Sequence, residues 1–170
     1  MNQPRRTLIL GSAGRDFHVF NTLYREDPTH DVLGFTAADL PTGSGGRYPA
    51  CLTGPLYPGG IPILPESRLE QEISALAIEE VVFAYSELGS AEVLRLAARV
   101  LAAGADFQLL SPLRSMLATS KPVIAVTAAR SGAGKSPTVR YLAALIAAWG
   151  LRVAVVRHPV RAQSFADDRE

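Results

Sequence analysis

Val81-Val82-Phe83-Ala84-Tyr85, then Ser90 through Ala103, then Gly104, then Asp106-Phe107-Gln108-Leu109-Leu110 is the stretch that decides the fold. The first run is short, apolar and rich in β-branched residues, which predicts a buried strand. Ser90 is an N-cap candidate for a helix over Ser90–Ala103, and Gly104 is its stop. A second strand follows at Asp106–Leu110. A strand, a helix of 10–15 residues and another strand make a βαβ unit, and such units build parallel sheets.

The same alternation extends in both directions. Upstream, Thr7–Gly11 reads as a strand and Asp16–Arg25 as a helix, with Asp16 as N-cap candidate and Phe17, Phe20, Asn21 and Tyr24 at helical spacing. Asp31–Thr36 is a strand, Ile61–Leu64 a short extended piece, and Glu66–Leu76 an amphipathic helix with Leu69, Ile73 and Leu76 on one face. Residues 38–60 are crowded with Gly and Pro and lack periodicity, which in a compact domain is often a functional segment. Downstream, Val123–Thr127 reads as a strand, Lys135–Trp149 as a helix ended by Gly150, and Arg152–Val156 as a strand. The expected class is α/β: a Rossmann-like, mostly parallel sheet over residues 1–118, followed by an incomplete P-loop NTPase βαβ unit over 119–160 and a polar tail over 161–170. One βαβ unit is too small to bury a core by itself.

Composition narrows the function classes. The chain has 170 residues, 48% of them apolar, which fits a globular protein. Its single cysteine, Cys51, excludes an internal disulfide framework and fits a reducing compartment. No apolar run reaches the roughly 18 residues of a membrane span, and the polar start is no secretory signal, so a cytoplasmic location without membrane contact is expected. Residues 1–85 carry 6 basic and 10 acidic groups (net −4), and residues 86–170 carry 11 and 6 (net +5). A basic half suits an anionic ligand. No Lys/Arg tract with interleaved aromatics is present, so nucleic acid is not the expected partner.

The sharpest motif is Ala129-Arg130-Ser131-Gly132-Ala133-Gly134-Lys135-Ser136, followed by Pro137. It follows a predicted strand and opens a predicted helix, the context of a Walker A loop, although Ala129 stands where the strict pattern has Gly. Gly132 and Gly134 let successive N–H groups turn toward one anion, and the helix N-terminus adds partial positive charge. Lys135 is placed to neutralise phosphate charge and Ser136 to put its hydroxyl on Mg²⁺. Pro137 sits in the first turn, where a missing N–H costs little. Arg130 is either a cation reaching a phosphate across a subunit interface or a solvated side chain. ATP or GTP with Mg²⁺ is the expected ligand, with the choice of base open. A complete NTPase also needs a strand-end carboxylate for the metal, and the acidic residues after the loop lie only in the tail, at Asp167, Asp168 and Glu170.

A second candidate follows the first strand: Gly11, Gly14, Arg15, Asp16 and His18, again at a loop-to-helix junction suited to anions. Arg47 and Tyr48 in the Gly/Pro-rich segment could add a phosphate clamp. Ser86 and His158 lie just past predicted strands, at the ligand-binding edge of a parallel sheet. The structural alternative stands beside each: a capping Asp16, a solvated Arg15, a packed His18 and an exposed loop His158.

Taken together, Gly11-x-x-Gly14-Arg15-Asp16-Phe17-His18-x-Phe20-Asn21, Arg47-Tyr48-Pro49, Gly54-Pro55-Leu56-Tyr57-Pro58, Val81–Ser86, Ala102–Phe107, the P-loop and Arg157-His158-Pro159 resemble cyclic 2,3-diphosphoglycerate synthetase and its predicted-GTPase relatives. The resemblance covers residues 5–160. It implies a Rossmann-like domain followed by a P-loop NTPase domain, of which this chain holds only the start. It also implies ATP-driven closure of an intramolecular phosphoanhydride in 2,3-diphosphoglycerate, with Arg15, His18, Arg47 and His158 holding that substrate. Two other readings remain: a GTP- or ATP-hydrolysing regulator or chaperone, and a non-catalytic Rossmann domain that binds a phosphorylated ligand or a partner subunit. A homodimer fits the unfinished sheet edge expected at 123–156.

Overall fold

The computed structural model describes residues 3–38, 46–84, 88–128 and 132–156. The chain divides into two compact units, one ending at Leu117 and one spanning Ala118–His158.

The first unit is a Rossmann-like α/β domain. Its strands are β1 (Arg5–Leu10), β2 (His30–Ala37), β3 (Gly46–Tyr48), β4 (Ile61–Pro65), β5 (Glu80–Ala84) and β6 (Asp106–Leu110). They form one sheet in the order β3-β4-β2-β1-β5-β6, parallel throughout except for the antiparallel edge strand β3. The helices are α1 (Gly14–Val19), α2 (Ala50–Thr53), α3 (Leu69–Ala75) and α4 (Ser90–Ala102).

Side chains alternate between two apolar layers, as the period of two along a strand demands. Ile9, Val82 and Ala84 face a layer built with Phe17, Phe20, Tyr24, Phe35, Tyr48 and Tyr57. Their neighbours Leu8, Leu10, Val81 and Phe83 face the other layer, against Leu69 and Ile73 of α3 and Leu96 and Val100 of α4. Those two helical pairs are each four residues apart, which sets them on one face. Burial on both faces is why these strands read as continuous apolar runs.

The first helix differs from expectation. It begins at Gly14 with Ala13 in the cap position, and after Val19 it widens into a π-helical segment, Phe20–Tyr24. Asp16 is therefore not the N-cap but the third helical residue, reaching back to the Ala13 N–H. In α4 the cap position is Gly89, not Ser90. The described part of the Gly/Pro-rich segment is scaffold. Tyr48 stacks on Phe17 with ring centroids 4.5 Å apart, and the Tyr57 hydroxyl accepts the Val32 N–H at 3.1 Å.

A row of charge marks the amino ends of the central strands. The first residues of β2, β1, β5 and β6 are His30, Arg5, Glu80 and Asp106. Arg5 bonds to Asp106 and lies 3.5 Å from the buried Glu80, whose other oxygen is 3.6 Å from His30 Nε2. Asp27 accepts from His30 Nδ1 at 2.8 Å if that nitrogen carries the proton. Burial, reinforced by Glu80, pushes the nearby Tyr24 phenol up to about 12.

In the second unit only the helix of the expected βαβ forms: α5, Lys135–Ala148. Residues 123–127 and 152–156 make no sheet ladder, contrary to the strands expected there. A helix satisfies its own backbone, whereas a strand needs a neighbour. No residue of α5 is buried.

Candidate functional site

The parallel strands run in the order β4-β2-β1-β5-β6, so the direction of winding reverses at β1. In open α/β sheets ligands bind at such a switch point, beyond the carboxyl ends of the strands. The loop there is Gly11-Ser12-Ala13, leading into α1. Gly11 takes φ +97°, and its N–H donates to Thr36 Oγ1 at 3.0 Å. Asp16 Oδ2 accepts the Ala13 N–H at 2.9 Å. A Cβ added to Gly11 would come within 2.2 Å of that same carboxylate oxygen. The Asp16 carboxyl thus fills the inside of the turn, and burial raises its pKa to about 6. Within the first turn of α1 the Gly14 and Arg15 amides have no helical acceptor, and the Arg15 side chain is exposed.

The other sequence candidates of this unit serve partners within it. Ser115 offers its carbonyl 2.6 Å from His18 Nε2, tying α1 to the turn that ends the unit. Arg47 Nη1 donates to the carbonyls of Gly59 and Gly60 at 2.7 and 2.9 Å. Tyr48 is buried, its hydroxyl accepts from Asn21 Nδ2 at 2.9 Å, and burial raises its phenol. The roles of Thr36 and Ser115 had no signal in the sequence, because each depends on a contact between distant elements. Ser86 and His158 lie outside the described residues.

In the second unit, Gly132 and Gly134 both take left-handed backbone, φ +78° and +85°. Gly134 is the cap residue of α5, and its carbonyl accepts both the Thr138 N–H and hydroxyl, at 3.2 and 3.0 Å. Lys135, Ser136 and Pro137 fill the first turn, where backbone N–H groups have no helical acceptor and Pro137 has none to lose. Ala133, Lys135, Ser136 and Pro137 are exposed, and the space around Gly132 is open. Two left-handed glycines feeding a long helix fit a phosphate cradle in residue type and backbone. Toward a divalent cation Ser136 would offer one hydroxyl, and the described residues contain no cluster of three metal-binding side chains. Arg130 and Ser131 lie outside the described residues. No described helix is long and apolar enough to cross a membrane.

No family model matches the chain. It is 50% identical over 158 residues, 93% of its length, to arginine synthetase ArcE of Thermococcus kodakarensis. It spans 35% of that protein's length. This likeness overturns the resemblance to cyclic 2,3-diphosphoglycerate synthetase. Among solved structures the chain is similar to RSP, a Rex-family repressor, with a TM-score of 0.48 and 14% identity over 88% of this chain and 64% of that one. It is similar also to RSP in complex with β-NADH, with a TM-score of 0.48 and 12% identity over 86% of this chain and 62% of that one.

Proposed function

We propose that this chain supplies the Rossmann-like domain and the phosphate-binding loop of a nucleotide-dependent synthetase that forms arginine. The observation that carries this reading is the 50% identity to an arginine synthetase over nearly the whole chain, the Gly132–Ser136 loop included. A synthetase couples bond formation to cleavage of a nucleoside triphosphate, and the loop has the residues such a ligand needs. Left-handed Gly132 and Gly134 and the first-turn amides of α5 would hold phosphate oxygens, with the helix N-terminus favouring their charge. Lys135 would neutralise them, and Ser136 would share a Mg²⁺ with the nucleotide. A metal ion held there would supply charge neutralisation at the phosphates. Catalysis of this kind is mostly positioning and electrostatics.

Two measurements test the proposal. Calorimetric titration with Mg-ATP and Mg-GTP should show binding that Lys135→Ala weakens at least about tenfold, the loss of one charge-assisted phosphate contact. A chimera in which this chain replaces the matched region of the Thermococcus enzyme should form arginine under the parent's conditions, and Lys135→Ala should abolish that. Nucleotide affinity indifferent to Lys135, or a correctly folded chimera without arginine formation, would reject the reading.

One observation favours a second reading. Both apolar layers belong to the first unit, and its Gly11–Asp16 turn sits at the sheet's switch point. On that reading the first unit binds a small phosphorylated ligand without catalysis. It predicts binding that survives Lys135→Ala and is lost in Gly11→Ala.

A further inference from the structure

Two carboxylates are buried among the described residues, Asp16 at 5% exposure and Glu80 at 4%, and they lie at opposite ends of the sheet. At the amino end Glu80 is met by cations, with Arg5 at 3.5 Å and His30 Nε2 at 3.6 Å. At the carboxyl end Asp16 has none. It forms no ion pair among the described residues, and the neighbouring Arg15 is exposed. Its Oδ2 accepts the Ala13 N–H at 2.9 Å, while Oδ1 takes no hydrogen bond from another described residue. Burial is the largest influence on this carboxyl and lifts its pKa to about 6, so the group is ionised at neutral pH.

A buried charge is costly unless it is paired. Glu80 shows how the fold meets that cost where the role is structural. Asp16 carries the same charge unpaired, at the switch point where ligands of open α/β sheets bind. A phosphate is a poor ligand for it. The carboxylate repels an anion and already takes the Ala13 amide, and α1 runs only six residues before it widens. A ligand that brings an ammonium or guanidinium group offsets the desolvation of Asp16 through a charge-assisted hydrogen bond.

We infer that Asp16 anchors a cation-binding site at the switch point, which takes the ammonium or guanidinium group of a small organic ligand and rejects phosphate. The site does not depend on the Gly132–Ser136 loop. That its cation belongs to an amino acid rests on the arginine-forming reading above. Against the second reading, it exchanges the phosphorylated ligand of the first unit for a cationic one.

Calorimetry and amide NMR on the whole chain, without nucleotide, test this. Agmatine, a guanidinium compound with no carboxylate, should bind and shift the Gly11, Ser12 and Ala13 amides. Asp16→Asn should weaken that binding at least about tenfold, the loss of one charge-assisted contact. The variant keeps an oxygen for the Ala13 N–H, and unfolding at neutral pH no easier than in the wild type separates a lost charge from a lost fold. Agmatine affinity equal in the two proteins, or no agmatine binding to the wild type, overturns the inference. So does inorganic phosphate shifting the same three amides. Lys135→Ala should leave agmatine binding unchanged, so the nucleotide loop and the cation site fail separately. L-Arginine shifting the same amides supports the link to arginine formation; agmatine binding without it keeps the cation site and rejects only that link.

Discussion

Helices α4 and α5 are nearly equal in length, at 13 and 14 residues, yet they live in opposite environments. The first buries Leu96 and Val100 against β5 and its neighbours, while the second buries nothing. The flanking segments differ more sharply. Around α4, residues 80–84 and 106–110 are strands in a five-residue parallel register. Around α5, residues 123–127 and 152–156 are equally apolar and are not strands. Helical structure is a local property of the chain, but strand structure is a relation between segments.

The strongest way to sharpen this contrast is to remove core volume from the first unit. Phe35 is fully buried, with its ring edge-on to Phe17 and Phe20. Phe35→Ala should cost about 3–5 kcal/mol in urea unfolding, a large share of a domain's stability. A loss below ~1 kcal/mol would mean that the layer is not the tight core described.

Gly11→Ala comes next. It forces a left-handed Ala and drives its Cβ into the Asp16 carboxyl. Strain and crowding together should cost roughly 2–4 kcal/mol. Asp16→Gly in the same background should recover the crowding part only.

Asp16 also makes a smaller, pH-dependent contribution. Its pKa is raised by burial from 3.8 to about 6, so between those values the folded chain holds a proton that the unfolded chain has released. Stability from this group is therefore highest below pH 3.8, falls as pH rises toward 6, and is level above. Asp27, held low by its hydrogen bond from Thr29, works in the opposite sense. The useful quantity is the difference between the wild type and Asp16→Asn. Unfolding from pH 4 to 7 should show the variant gaining about 1–3 kcal/mol on the wild type across that range. Parallel curves would contradict the buried carboxyl.

The smallest effect belongs to the second unit. Ile124→Ala should move chemical stability by no more than about 0.5 kcal/mol, because the side chain is already in water. A core-sized loss there would erase the distinction between the two regions.

What could be read from residues alone follows the same line. Leu8–Leu10 and Val81–Ala84 announce their strands because burial on both faces leaves an uninterrupted apolar run. Leu69 and Ile73 announce a helical face. The glycines of 132–134 announce a turn into a helix, and the backbone takes left-handed angles at both. Residues 123–127 read as a strand but make no ladder: a run of β-branched residues says nothing about whether a neighbour is present. The π-helical segment at Phe20–Tyr24 was equally hidden; Phe20 and Tyr24 both sit in one aromatic layer. Asp16 looked like a cap because Asp is common in that role. Its actual work, filling the turn over Gly11, depends on the turn's path. Arg47 looked like a phosphate clamp, and it grips the carbonyls of Gly59 and Gly60.

The antiparallel strand β3 makes the two borders of the sheet unequal. It runs against β4 and is fastened there by Arg47, which closes the series of parallel crossovers on that flank. The opposite border, β6, remains parallel and presents Leu109 to solvent. Lengthening such a sheet by another crossover unit is topologically open only beyond β6, so insertions and fusions that respect the domain's winding are confined to one flank.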